Sequence, residues 1–371
     1  MRLILNSLLL VASVVISLFA AEFLARIVFD PVDYLLPRLV HDEFLFNRIE
    51  GYSGGHDAWG FRNPEKPETA DIVCIGDSMT YGISARARDS WPAVLGQLRG
   101  TSVYNMGVGA RGPIEYLHVM RTEAVKLHPK IVIVGLYFGN DLLDVYNAVR
   151  LNKNWSSYGN LGGFDEQMPV FVRQEGGPGK FLGPLRDWLA RHSVFYAALT
   201  RSSLFDFVRK RETAARDDGS LISYRDDKHD VIFNLSPGAR FLDMGDPRIK
   251  AAVEITKQVM LDTRSFADEE KLRLIVALIP TKEYVYRGLL ERAGYTQKYP
   301  RLADGLRQED LAREAIAGFL KQANFEVVDL LPDLEAAVVK RDLYPINDPH
   351  PNKYGYGVMA ETINNYLNHP R

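Results

Sequence analysis

The stretch Ile72-Val-Cys-Ile-Gly-Asp-Ser-Met-Thr-Tyr-Gly82 constrains the fold more than any other part of the chain. Its first half is a short apolar run rich in β-branched residues, the pattern of a strand buried on both faces of a parallel sheet. The run stops at Gly76-Asp77-Ser78, and a helical pattern with Trp91, Val94, Leu95 and Leu98 follows. A strand that ends in a tight serine-bearing turn and feeds a helix sets that hydroxyl at the carboxyl edge of an α/β sheet. Such sheets bind their ligands at that edge. By itself a Gly-Asp-Ser triplet also suits a plain helix cap or turn, so the other strand ends carry the decision.

Those ends recur in order. Ser102–Gly107 reads as a second strand that runs into the turn Gly107-Val-Gly-Ala-Arg-Gly112, and Pro113 suits the first turn of a helix extending to about His128. Lys130–Phe138 is the clearest buried strand and ends in Gly139-Asn140-Asp141. Three strand–turn–helix units at this spacing imply parallel strands joined by crossover helices. From about residue 142 to 246 the alternation lapses. This span holds Gly-rich stretches (Gly159–Gly163, Gly176–Gly179), a helix candidate from Pro184 to about Lys210 and a polar run Arg211–Lys228. It reads as a largely helical insertion over the sheet edge. The aromatics of the helix candidate (Trp188, Phe195, Tyr196, Phe205, Phe207) suit a core, a lid lining or a membrane contact. Alternation resumes with a helix at about Pro247–Glu269 and a strand Leu272–Ile279 that ends in Pro280-Thr-Lys-Glu-Tyr284. A helix near Arg307–Gln322, a strand Phe325–Asp329 and a helix from about Lys353 follow.

A chain of 371 residues with 46% hydrophobic and 25% charged side chains can bury a substantial core. A net charge of −2 with no long basic run argues against nucleic acid as a partner. The single cysteine, Cys74, lies in the apolar strand and reads as a core residue. From Leu3 to Val28 the chain is mostly apolar and long enough to cross a bilayer, with Glu22 and Arg26 near its far end. Arg2 precedes it as in a signal sequence, but Ala20 and Ala21 lack a small residue two positions upstream, so the cleavage signal is poor. The expectation is an uncleaved, single-pass inner-membrane anchor (1–28), a connector (29–69) and an extracytoplasmic, periplasmic domain (70–371). A buried amphipathic helix is the alternative.

Serine becomes a nucleophile only when a base takes its proton and donors stabilise the oxyanion. Of the eight histidines, His350 has the most suitable setting, in Asn347-Asp-Pro-His-Pro-Asn352, where Pro349 and Pro351 restrict the backbone on both sides. Asp348 suits the acid that orients the imidazole. The N–H groups of Ser78 and Gly107 and the side-chain amide of Asn140 are candidate oxyanion donors. Lys282 and Tyr284, at the same sheet edge, are candidates for substrate contact, or residues of a solvated loop. Neither an HExxH nor a paired-carboxylate signature occurs, so no catalytic metal or other cofactor is expected.

Gly-Asp-Ser, a glycine, Gly-x-Asn-Asp and a late Asp/His loop, each at a strand end, together resemble the SGNH (GDSL-type) hydrolase family over about residues 70–141 and 247–365. The resemblance implies a flavodoxin-like three-layer α/β/α fold. It also implies Ser78 as nucleophile, Gly107 and Asn140 as oxyanion donors and His350 as base. The family pattern has Asp three residues before the histidine, where this chain has Asn347. Members that act on polysaccharide acetyl groups have an Asp-x-His arrangement, and this chain resembles them more closely at Asp348. An acid from elsewhere, or a weakened dyad, stays open. The anchor, the Gly60-Phe-Arg-Asn63 segment and Pro280-Thr-Lys-Glu-Tyr284 resemble membrane-bound bacterial members, including relatives of alginate O-acetyltransferases. The implied activity is ester hydrolysis or acyl transfer on a small-molecule or polysaccharide ester, and the implied membrane contact is through the N-terminal helix. A carbohydrate-binding or polysaccharide-assembly protein on the same fold is the alternative, and a lipid-directed esterase a third reading.

Overall fold

Five strands form one sheet in the computed structural model, which describes residues 2–161, 168–170, 183–201, 221–235 and 242–369. They are β1 (Ile72–Gly76), β2 (Val103–Gly107), β3 (Ile131–Tyr137), β4 (Arg273–Ile279) and β5 (Glu326–Asp329). Every neighbouring pair is parallel, and the spatial order is β2-β1-β3-β4-β5. That is the flavodoxin-like doubly wound order, in which the strand sequence reverses between β1 and β3 and opens a crevice at their carboxyl ends.

The strands are apolar almost throughout because both faces are covered, and side chains alternate between two cores. Cys74, Ile133, Ile275 and Ala277 point into one, with Trp91 and Leu95 of α3 (Trp91–Arg99) and Met359 and Ile363 of α8 (Lys353–Asn368). Leu136, Val276 and Leu278 point into the other, covered by α4 (Pro113–Thr122), α5 (Asp141–Leu151) and α6 (Pro247–Glu269). Part of α7 (Pro300–Gln322) closes the same layer with Ala312 and Ile316. Cys74 is fully buried, and burial pushes its thiol well above the ordinary value, as suits a core residue.

At the carboxyl edge Gly76 is level with Gly107 on one neighbour and Gly135 on the other. This row of three glycines lets the short helix α2 (Ser78–Tyr81) lie directly on the strand ends. A Cβ on Gly76 would come 2.1 Å from Thr80 Oγ1, and one on Gly107 would come 2.2 Å from the Tyr81 nitrogen. The segment before β1 secures the same helix. Arg62 donates to the Gly82 carbonyl at 2.7 Å and the Ala85 carbonyl at 3.0 Å. Asn63 exchanges hydrogen bonds with the backbone of Asn105 at 2.9 and 3.0 Å, capping the edge strand β2 as another strand would.

Several elements differ from the sequence expectations. The helix after Pro113 stops at Thr122 and gives way to a 3-10 turn at Ala124–Leu127, and α7 begins at Pro300 rather than near Arg307. The 142–246 span is not simply helical. It contains an antiparallel hairpin, Leu221–Arg225 with Asp230–Asn234, whose Ile222, Tyr224, Val231 and Phe233 enter the first core. Gly176–Gly179, Phe205, Phe207 and most of the Arg211–Lys228 run lie outside the described residues.

The chain divides into two compact units: Met1–Val40, Arg48–Gly60 and Glu175–Ala214 in one, and His41–Asn47, Phe61–Gln174 and Ala215–Arg371, with the sheet, in the other. The connector is therefore shared between them. The smaller unit holds α1 (Arg2–Val28) and two helices, Gly183–His192 and Val194–Arg201, where the sequence suggested one.

The glycine row predicts a graded response. In Gly107→Ala the new methyl meets α2 backbone, whereas in Gly135→Ala it meets chiefly the Thr80 hydroxyl at 2.6 Å. Overpacking of this kind costs about 1–3 kcal/mol. The Gly107 variant should therefore melt several degrees lower, by differential scanning fluorimetry, and the Gly135 variant should lose less. Equal Tm values would show that α2 does not depend on the row.

Candidate active site

Ser78 begins α2, and its neighbour Asp77 caps that helix by accepting from the Met79 N–H at 2.8 Å. The other Asp77 oxygen lies 3.2 Å from the Ser78 hydroxyl. Burial raises the Asp77 carboxyl, and Asp144 adds to the rise. On the opposite side His350 Nε2 lies 2.9 Å from Ser78 Oγ. His350 Nδ1 lies 2.7 Å from Asp348 Oδ1, which also accepts the His350 backbone N–H at 2.8 Å. A carboxylate at Nδ1 holds the ring proton there and leaves Nε2 as acceptor for the single hydroxyl hydrogen. Burial pushes the Asp348 carboxyl up, but hydrogen bonds from the His350 side chain and backbone and from Ser84 hold it below the ordinary value. Ser78 and His350 are both buried, with 6% and 8% of their surface exposed.

The two turns that flank Ser78 are laced together beneath it. Asp141 accepts the Tyr137 N–H at 2.9 Å, and its other oxygen lies 2.9 Å from the Tyr116 hydroxyl. That hydroxyl is also 2.9 Å from the Arg111 carbonyl, which can only accept. The one phenolic hydrogen thus faces two acceptors, the Asp141 carboxyl and the Arg111 carbonyl. Burial, reinforced by Asp77, pushes the Asp141 carboxyl well above its ordinary value.

The candidate oxyanion donors divide. Asn140 caps α5 next to this network, and its amide Nδ2 donates to Asp144 at 2.5 Å while Oδ1 is buried without a hydrogen-bond partner. An amide nitrogen carries two hydrogens, so one is left for another acceptor. The Gly107 N–H is spent, because it donates to Asn105 Oδ1 at 2.8 Å. Two residues on, a Cβ on Gly109 would lie 3.6 Å from Ser78 Cβ, so the turn passes directly beside the nucleophile there. Ala110 follows in the left-handed region, with φ 71°, a conformation unusual outside glycine.

Lys282 and Tyr284 do not contact Ser78 or His350. The Tyr284 hydroxyl donates to Asp310 and accepts from Arg287 at 3.3 Å. Lys282 is 2% exposed, and its ammonium is surrounded by the carbonyls of Ile232, Pro345 and Ile346 at 3.1 Å each and of Asp348 at 3.3 Å. Burial pushes it down to about 8 against the pull of Glu283, Asp348 and Asp342. It therefore ties the inserted hairpin to the loop that presents Asp348 and His350. The hairpin adds its own strut, the Ile232 N–H donating to the Ile346 carbonyl at 2.7 Å. Sequence reasoning assigned Lys282 to the site edge, but nothing in the sequence signals the ring of carbonyls.

A second Asp–His pair went unnoticed in the sequence. His229 Nδ1 lies 2.8 Å from Asp226 Oδ1, but Nε2 faces the Val338 carbonyl at 2.7 Å. Both nitrogens face acceptors, so this pair braces the hairpin and offers no base. Among the described residues no group of three or more His, Cys, Asp or Glu side chains is arranged to hold a metal ion.

The Lys282 contacts predict an alkaline limb. As pH rises through about 8 the ammonium loses a proton and turns a lone pair toward carbonyl oxygens. Turnover should then fall, while Lys282→Met should show turnover lower by about 10²-fold, little change in KM and no such limb. This lysine does not destabilise the fold over that window. Its folded pKa lies below the unfolded value, so the unfolded chain holds the proton more tightly and stability rises with pH. A pH–rate profile checks this, and a retained limb in the variant would contradict it.

No protein-family model and no curated protein matches the sequence. Solved structures do resemble it. One is a protein assigned to the G-D-S-L lipolytic family from Desulfitobacterium hafniense DCB-2, 16% identical over 79% of this chain and 97% of that one, TM-score 0.39. Others are a member of the lipolytic protein G-D-S-L family from Veillonella parvula DSM 2008 (12%, 81% and 97%, TM-score 0.36) and a catalytic mutant of an acetylxylan esterase from Geobacillus stearothermophilus (13%, 80% and 94%, TM-score 0.36). At these identities and scores the likeness adds nothing to the chemistry, which the geometry carries alone.

Proposed function

We propose that the protein is a serine-dependent ester hydrolase or O-acyltransferase of the SGNH type, held at the inner membrane by α1 with its sheet unit outside the cytoplasm. The observation that carries the reading is the Ser78 Oγ–His350 Nε2 distance of 2.9 Å with Asp348 2.7 Å from Nδ1.

In the mechanism this supports, Ser78 Oγ attacks the ester carbonyl as His350 Nε2 takes its proton, and Asp348 stabilises the imidazolium. The oxyanion is met by the Ser78 N–H and the second hydrogen of the Asn140 amide. A further backbone donor would come from the turn at Gly109, whose Cβ position lies 3.6 Å from Ser78 Cβ, rather than from Gly107, whose N–H is spent on Asn105. His350 then protonates the leaving alcohol, giving an acyl-enzyme on Ser78 that water or a sugar hydroxyl resolves. An O-acetylated extracytoplasmic carbohydrate is the proposed substrate, on the strength of the Asp348-Pro-His350 arrangement. For the anchor, support comes from α1, whose apolar stretch Ile4–Val28 is long enough to cross a bilayer and keeps its side chains largely outward.

Detergent-solubilised full-length protein should turn over an acetyl-ester reporter and take up a fluorophosphonate probe. Ser78→Ala should abolish both. Asn140→Ala should lower turnover about 10²–10³-fold, the usual cost of one oxyanion donor, with KM little changed. Adding a sugar acceptor and following product partition separates transfer from hydrolysis. Wild type and Ser78→Ala both at background, with no probe uptake by either, would overturn the enzyme reading in favour of a carbohydrate-binding protein.

A further inference from the structure

The smaller unit is built around the end of the apolar helix rather than merely attached to it. Glu22 lies inside the apolar stretch, yet its carboxylate is fully employed. It accepts from the Ser193 hydroxyl at 2.7 Å and from the Val194 and Phe195 N–H groups at 3.0 Å each. It thus caps the helix Val194–Arg201, whose first N–H groups need acceptors. Arg26 pairs with Glu22 at 2.7 Å and also donates to the His192 carbonyl at 2.7 Å. Ala25, Leu35 and Val194 form a small buried core with Phe29, Tyr34 and Phe195 against it. Two further bonds fasten the preceding helix, Leu36 N–H to the Ala190 carbonyl at 2.9 Å and Arg191 to the Pro37 carbonyl at 2.6 Å.

These contacts fix a depth. The apolar stretch has 25 residues, roughly 37 Å at about 1.5 Å per residue, against a hydrocarbon core of about 30 Å. The surplus of some five residues leaves Leu24–Val28 at the bilayer interface, with Glu22 just inside. Residues 192–195, bonded to Glu22 and Arg26, must lie at that same level. From there the helix Gly183–His192 presents Leu185 and Trp188, three residues apart and so on one face, with 49% and 56% of their surfaces exposed. Trp188 stacks on His192 at 5.0 Å. A tryptophan exposed at headgroup depth has the amphipathic character that favours this zone, and a membrane-parallel helix buries such an apolar face there.

We propose that the helices Gly183–His192 and Val194–Arg201 form a collar on the outer end of the anchor, with Trp188 and Leu185 seated in the interface of the bilayer that α1 crosses. The collar makes α1 a structural part of the unit, so the helix is retained and not processed away. This rests on the reading of α1 as an anchor, and the test separates the two.

Full-length protein is reconstituted into phosphatidylcholine vesicles and washed with alkaline carbonate. Release by the wash would overturn the anchor reading itself. For retained protein, tryptophan fluorescence is measured with lipids brominated high or low on the acyl chain. The expected result is stronger quenching by the shallow label, most of it lost in Trp188→Phe. Glu22→Ala, which releases the cap, should lose the same quenching while the protein stays carbonate-resistant and its ester turnover, a control for folding of the sheet unit, is kept. Shallow quenching unchanged in Trp188→Phe, or unchanged in Glu22→Ala, would overturn the collar.

Discussion

The site depends first on a packing constraint, the row formed by Gly76, Gly107 and Gly135 across three adjacent strands. Any side chain in that row collides with α2, and the clash from Gly107, 2.2 Å from the Tyr81 nitrogen, is with backbone that cannot rotate away. Because the row is bare, the first turn of α2 rests on the strand ends and Ser78 emerges at the crevice where the strand order reverses. The same turn is gripped from outside by Arg62 on the Gly82 and Ala85 carbonyls. The nucleophile is thus positioned by contacts that no substrate need supply, the preorganisation that electrostatic catalysis requires.

A second set of contacts delivers the base. The Asp348–His350 loop is fixed at its far end by Asn352, which caps α8 by accepting the Tyr354 and Gly355 N–H groups at 2.9 and 3.2 Å. Against it lies the Lys282 ammonium, hydrogen-bonded to four carbonyls and set over the rings of Phe233 and Tyr344. Burying a cation is costly unless its hydrogen bonds are satisfied, so this arrangement constrains the loop closely. It also gives the inserted hairpin a purpose in the chemistry, since Ile232 joins the loop directly through its N–H and, by way of Lys282, through its carbonyl.

Much of this was legible in the sequence, for identifiable reasons. Apolar runs ending at Gly76, Gly107 and Gly139 gave the parallel sheet, because buried parallel strands are apolar on both faces. Asp348 and His350 were readable as a pair because they are two residues apart between prolines. What the chain concealed were convergences of distant backbone. Lys282 reads as a substrate contact or a solvated loop residue until two distant segments, the hairpin and the 345–348 loop, surround it. Gly107 reads as a donor until Asn105 is seen to take its N–H. The hairpin at 221–234 was obscured by its polar surroundings, although Leu221-Ile-Ser-Tyr-Arg225 alternates with period two. Glu22 reads only as a charge near the far end of the apolar helix, because its partners at the start of the helix Val194–Arg201 lie more than 170 residues away.

The central claim is that Ser78 carries an acyl group during turnover. The direct measurement is rapid acid quench of the enzyme with an acetyl-ester substrate, followed by mass spectrometry of the peptide containing Ser78. An acetyl group on Ser78 that accumulates within the first turnover, and persists when His350→Ala is supplied with imidazole to replace the missing base, is the expected result. Substrate turnover with no acetyl on Ser78 at any quench time, or with the group on another residue, would contradict the account.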